Sequence, residues 1–451
     1  MLPIRLLVLL FAFVGFSAHA ENSGLFGDLV APQPAANAPQ PALDIQLAPA
    51  AEVRDDLPPL HTIDLTTPPD DLWQRMRNGF GMPDLNTPLV AERQAWYLNR
   101  PEMLQRIFER SRKYLYHIVD ELEKRGMPTE LALLPIVESS FNPLAYSPAR
   151  ALGIWQFIPS TGRNYNLRQN WWLDERRDII ASTSAALDYL QNIYEMHGDW
   201  HLALASYNWG ENAVARAIAK NQAKGLPTDY ASLTMPAETR NYVPKLQAIK
   251  NIIARPELFD VRLDPIPNKA YFGTVEMNEN ADIAIIARLA EMPLQEFIAL
   301  NPAYQRPVIP GENRSPLVIP AEKMEIFQAN LARHEAEDKP LSSWRTYRLK
   351  RGEKLDKVAA RFGLSAARLK QLNGITPKMK ILPGQNFLIP SGTAQDHDRV
   401  TAALPKTPAK PPKAGKTKRG KKSAKGSSKP RTKKAAKTTR KTAAKPAPKK
   451  R

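Results

Sequence analysis

Not one cysteine occurs in the 451 residues of this chain. That excludes disulfides, thiol nucleophiles, cysteine-based metal sites and any lipid carried on an N-terminal cysteine. Histidine is scarce: the seven residues are scattered without ligand spacing, so neither a metal nor another cofactor is expected. No apolar run is long enough to be a comfortable membrane span; the best, Leu6 to Phe16, is too short. Acid is missing from residues 401–451, which hold 20 Lys and Arg and no Asp or Glu. Those cations account for the whole of the net charge of +19, so the first 400 residues are close to neutral. The basic character belongs to one end of the chain.

What is present falls into blocks. Residues 1–20 carry Arg5, the apolar run and Ala18-His19-Ala20, the pattern of a cleavable export signal. A buried N-terminal helix is the competing reading, and the Pro- and Ala-rich residues that follow speak against it. The expectation is a protein of the periplasm or cell envelope with no lipid anchor. Residues 21–70, with APQPAANAPQPALDIQLAPA, read as a disordered linker of polyproline character. From residue 72 to about 257 the apolar residues recur at helical spacing, as in Leu104, Ile107, Tyr114, Ile118 and Leu122, and convincing strands are absent. This block is an α-helical domain. Its expected helices include one starting at Pro128-Thr129-Glu130, a long one from 174 to 197, a pair broken near Gly210, and one from 238 to 254.

Beyond it lies an internal repeat. At an offset of 72, Leu355, Val358, Leu369, Leu372 and Asn373 fall on Ile283, Ile286, Phe297, Leu300 and Asn301. Both copies run through Pro-Gly to a strand ending Ile-Pro, giving a small α+β module of strand, helix, helix, strand at 271–322 and 345–391. The charged helical segment from 321 to 339 is either a spacer or an extension of the first copy. Residues 392–451 have no hydrophobic face and read as a disordered basic tail. The fold class is therefore multidomain: an α-helical domain, two small βααβ modules and disordered termini.

One residue in the helical domain stands out. Glu138 ends the strongly apolar stretch LALLPIVES, and Ser140-Phe141-Asn142-Pro143 stops that helix. Leu134, Ile136 and Phe141 would desolvate its carboxyl, and the negative end of the helix dipole acts in the same direction. A general acid working near neutral pH needs such surroundings. A surface glutamate that merely caps a buried helix is the alternative, and spacing alone does not separate the two.

The ordered series Glu138-Ser139, then GIWQ at 153–156, then SYN at 206–208, then ETRNYV at 238–243, resembles the motifs of family 1 lytic transglycosylases, whose domain is lysozyme-like. Each motif is weak by itself; four in order are specific. The resemblance implies an enzyme acting on the glycan strands of peptidoglycan. It assigns Glu138 as the only acid and base, cleaving between N-acetylmuramic acid and N-acetylglucosamine and leaving 1,6-anhydromuramyl ends. It places Ser147, Gln156, Tyr207 and Asn208 beside the bound sugars and Glu238 as a structural acid below the cleft. Plainer readings stand beside these: a turn for Ser147, a core hydroxyl for Tyr207, a helix first turn for Glu238. Trp155, Trp171 and Trp172 can stack on sugars but read better as packing. A second carboxylate for hydrolysis would come from Asp174, Glu175, Asp178, Asp188 or Glu211, most of which read as solvated.

The second repeat resembles a LysM module, which implies binding of N-acetylglucosamine-containing glycan. Gly352, Leu355, Asn373, Pro383-Gly384 and Ile389-Pro390 carry that resemblance. The first copy is divergent, lacks the glycine matching Gly352, and is open to either reading as a binder. The basic tail is expected on anionic envelope polymers, with nucleic acid as an in-vitro partner through phosphates. A hydrolytic muramidase, a non-catalytic wall-binding scaffold and a tail-led nucleic-acid-binding protein are the competing functions.

Overall fold

A computed structural model describes residues 69–311, 316–376, 379–391 and 394–405. The export signal at 1–20, almost all of the linker and most of the basic tail lie outside the described residues.

The helical domain begins with Leu72–Asn78, capped by the Asp71 carboxylate on the Trp73 amide. Helices Pro88–Leu98, Pro101–Ser111 and Leu115–Lys124 follow. In the last of these Leu115, Ile118, Val119 and Leu122 are wholly buried, the stripe that helical spacing foretells. The chain then tightens into a 3₁₀ segment, Thr129–Leu133, and a short α-helix, Leu134–Ser139. Pro135 sits in the first turn of that helix, where its missing N–H costs nothing.

The helix expected from 174 to 197 is instead a 3₁₀ turn, Glu175–Arg177, and a helix, Ile179–His197. Asp178 separates them: its carboxylate accepts from the Ile180 and Ala181 amides, so it is an N-cap and not a helix interior. Gly198 in the left-handed conformation ends the helix, and Asp199 caps Trp200–Trp209. Helix Glu211–Gln222 follows the break at Gly210. The last expected helix is also two, Ala237–Arg240 and Tyr242–Ala254. The longer one packs against Pro88–Leu98, Trp200–Trp209 and Leu134–Ser139, and so carries Tyr242 to the end of the helix that bears Glu138. The chain then returns to its start, where the Leu72 amide donates to the Ile266 carbonyl.

Each repeat is built on an antiparallel strand pair. Phe272–Val275 pairs with Leu317–Pro320, Phe272 opposite Pro320. Trp344–Arg348 pairs with Asn386–Pro390, Trp344 opposite Pro390. Helices Ile283–Leu289 and Leu294–Leu300 lie between the first pair, Leu355–Arg361 and Ala366–Leu372 between the second. The first copy adds a second short pair, Ala281–Asp282 with Val308–Ile309. The equivalence of the copies extends to their hydrogen bonds. Asn301 donates to the Phe297 and Val318 carbonyls and accepts from the Val318 amide. Asn373 does the same with Leu369, Leu388 and the Leu388 amide.

Helix Met324–Ala336 extends the first copy and is not a spacer: Phe327 is buried in the core, and Asn330 donates to the Leu289 carbonyl. The tail departs from expectation at its start, because Ala394–Ala403 is a helix, with Val400 and Leu404 buried. The modules also pack on the helical domain. The Asp174 amide donates to the Ala303 carbonyl and the Gln305 amide to the Trp172 carbonyl. Trp171 and Trp172 pack against Val308, Trp344, Leu372 and Leu388, which settles them as packing residues. Replacing Asn373 by Ala removes three buried hydrogen bonds and leaves backbone groups unmatched, at a cost of about 3 kcal/mol. Hydrogen exchange should show the amides of 386–390 losing protection.

Candidate active site

The residues around Glu138 are held by an unusual turn. Helix Leu134–Ser139 ends on two successive left-handed residues, Ser140 and Phe141, both at φ 54°. Two non-glycine residues in that region are strained, and buried Phe141, stacked on Tyr114, pins them in place. The Ser139 hydroxyl bonds the Ile154 carbonyl, fastening the helix to the loop 152–157. That loop needs Gly153: at φ 77°, a Cβ there would stand 2.1 Å from the Arg176 carbonyl oxygen. Trp155 is fully buried with its indole N–H on Thr183, so this tryptophan too is packing.

The motifs converge on one cleft of about 450 Å³, whose walls include Glu138, Ser147, Gln156, Tyr207, Asn208 and Glu238. All six sequence-predicted positions thus line it. Their hydrogen bonds show which atoms are left for a ligand. Ser147 Oγ accepts from the Ala151 amide, so it both makes the turn and keeps its own proton to donate. Gln156, left-handed at φ 51°, donates to the Gly153 carbonyl. The hydroxyl of Tyr207 is tied to the Trp155 carbonyl. Asn208 accepts through Oδ1 from Thr239, which leaves its amide N–H groups for the cleft. Glu238 corrects its expectation: it is exposed on the cleft wall, not buried beneath it.

Glu138 opens into the cleft, and burial is the main reason its pKa rises, from 4.5 to about 7. The Tyr242 hydroxyl, donating to Oε1, works against that shift; the charge of Glu238 adds to it and that of Lys245 opposes it. Tyr242 escaped notice as a site residue although it stands within the motif ETRNYV. Its spacing from Glu138 carries no signal; only the packing of helix Tyr242–Ala254 on Leu134–Ser139 joins them.

The chain matches the Transglycosylase SLT domain over residues 116–228. It matches the LysM-like domain of lytic transglycosylase MltD over 271–336 and the LysM domain over 347–390. It is 35% identical over 349 residues to membrane-bound lytic murein transglycosylase D of Escherichia coli (strain K12), covering 74% of this chain and 77% of that one. The chain belongs to the lytic murein transglycosylase family. A more distant relative is membrane-bound lytic murein transglycosylase C of Glaesserella parasuis, 31% identical over 160 residues, 32% of this chain and 40% of the other.

Four of the other carboxylates fall into place as structure. Asp174, Glu175 and Asp178, read as solvated, are buried. Asp174 pairs with Arg176, Glu175 with Arg168, and Asp178 caps its helix. Asp188 is the exposed partner of Arg125. Among the described residues no cluster of His, Asp and Glu suits a metal ion, and no helix is long and apolar enough to cross a membrane.

The raised pKa of Glu138 has a stability consequence. The folded chain holds this proton more tightly than the unfolded chain, so stability falls as pH rises from about 4.5 to about 7, and the whole loss is present above that. Glu138→Gln removes the penalty. Thermal unfolding at pH 8 should find the variant more stable than wild type by on the order of 3 kcal/mol, with little difference at pH 4.

Proposed function

We propose that Glu138 performs both proton transfers of a lytic transglycosylase on peptidoglycan. Its protonated carboxyl gives a proton to the glycosidic oxygen between N-acetylmuramic acid and N-acetylglucosamine. As that bond breaks, the muramyl O6 attacks the anomeric carbon, and its proton passes to the Glu138 carboxylate. One strand is released with a 1,6-anhydro end, Glu138 is again protonated, and no water is consumed. The observation that carries this reading is a carboxyl on the wall of a polar cleft whose burial raises its pKa to about 7. Nucleophilic attack from within the substrate requires no second carboxylate, unlike most glycoside hydrolysis. Glu238 has a supporting role, since its negative charge helps to keep the proton on Glu138.

The cleft amides suit acetamido sugars: the free N–H groups of Asn208 and the free Oε1 of Gln156 offer donors and an acceptor. Ser147 and Tyr207 complete the contacts. The LysM modules bind the glycan and raise the local concentration of the catalytic domain on an insoluble polymer. The export-type segment at 1–20 supports action in the periplasm. The Lys- and Arg-rich end, from 406 onward, suits anionic envelope polymers, and in vitro it would also take up nucleic acid.

Digestion of purified sacculi tests the reaction directly. Wild type should release fragments lighter by one water than reducing ends, and Glu138→Gln should release none above background; reducing-end products would instead mean a muramidase. Tyr242→Phe tests the proton inventory. Loss of a donor to the carboxylate raises the Glu138 pKa further, so the alkaline limb of kcat/KM should move to higher pH than in wild type.

A further inference from the structure

A second cavity of about 270 Å³ adjoins the catalytic cleft. It shares Thr161, Tyr189 and Glu211 with the cleft, so the two meet along those side chains and the cavity is a side branch of the cleft region. Its own walls are aromatic, amide and thioether: Tyr165 and Tyr189 with ring centroids 5.1 Å apart, Asn164, Asn192, and Met196, which is 62% exposed. The Asn192 amide donates to the Tyr165 hydroxyl and fixes that wall. No cationic side chain lines the branch among the described residues.

Glu211 is its only charge. The carboxylate is held in place, because Oε2 accepts from the Tyr189 hydroxyl at 2.8 Å, while Oε1 has only the Asn212 amide at 3.4 Å. Among the described residues Glu211 enters no ion pair. Position 211 opens a helix, and the helix dipole alone would favour an acid there. The dipole does not account for a cavity that borders both the substrate cleft and that acid. A carboxylate fixed in orientation and without an ion-pair partner is available to a cation that enters the cavity.

We propose that this branch receives a peptide stem of the substrate and that Glu211 pairs with a free ammonium group on the stem. The assignment rests on the reading of the cleft as the peptidoglycan site. A glycan strand is linear, but each muramyl residue carries a peptide at a right angle to it in connectivity. A cleft with a side branch matches a chain with side branches. An amine on a diamino acid supplies the positive charge, and amide and aromatic walls suit peptide backbone better than a sugar face rich in hydroxyls. Carboxylates of the stem would be repelled by Glu211, which selects the amino end of that side chain.

The test compares three substrates: glycan strands with intact stems, the same strands with stem amines acetylated, and strands stripped of stems by an amidase. Each is digested by wild type and by Glu211→Gln, which keeps an acceptor for the Tyr189 hydroxyl. Wild type should prefer intact stems over acetylated ones by about fivefold or more in kcat/KM, and Glu211→Gln should lose that preference. The proposal is overturned if wild type shows no preference, if the preference survives in Glu211→Gln, or if the substitution slows all three substrates equally. Cleavage of intact strands by wild type serves as the control: its absence would count against the cleft's assigned reaction, and its presence isolates the role of the branch.

Discussion

The chemistry we propose for this protein depends on a contest over one carboxyl group. Burial at the end of an apolar helix drives the proton onto Glu138, and the Tyr242 hydroxyl pulls the other way by donating to Oε1. Burial raises its pKa and the hydrogen bond limits that rise. The balance leaves it near 7, where donation and recovery of a proton are both accessible. Much of the domain exists to fix that geometry. The paired left-handed residues 140 and 141, the glycine at 153 and the hydroxyl of Ser139 all set the distance between the acid and the loop facing it.

The helical architecture was legible in the sequence because amphipathic spacing is a one-dimensional signal. The stripe Leu115, Ile118, Val119 and Leu122 needs no tertiary information to be recognised. Helix breaks were less legible where a polar residue served as a cap. Asp178 looks like any acid on a charged face until its carboxylate is seen on the Ile180 and Ala181 amides. For the same reason Asp174 and Glu175 looked solvated: the arginines that neutralise them, Arg176 and Arg168, are close in sequence but their burial is a tertiary fact. The positions lining the cleft were legible as ordered motifs, whereas the hydrogen bond from Tyr242 to Glu138 spans more than a hundred residues and leaves no local trace.

The repeats show the converse. The first copy, though divergent, was legible from five aligned positions and its Pro-Gly and Ile-Pro landmarks, and one of those positions is a buried asparagine. Asn301 and Asn373 each satisfy the same three backbone groups, a task that few side chains can perform, so the residue persists where its neighbours have changed. Length was harder to read than identity. Helix Met324–Ala336 belongs to the first copy because Phe327 fills its core, a fact that a charged, weakly amphipathic sequence does not advertise.

The tryptophan pair at 171 and 172 reaches out of the catalytic domain into the apolar junction formed by Val308, Trp344, Leu372 and Leu388. Modular enzymes are often pictured as beads on a string, free to be exchanged by cutting between them. Here the string has been sewn into the beads. A chain shortened to its catalytic half would present two indoles to water, and a foreign binding module grafted in their place would have to supply a matching socket.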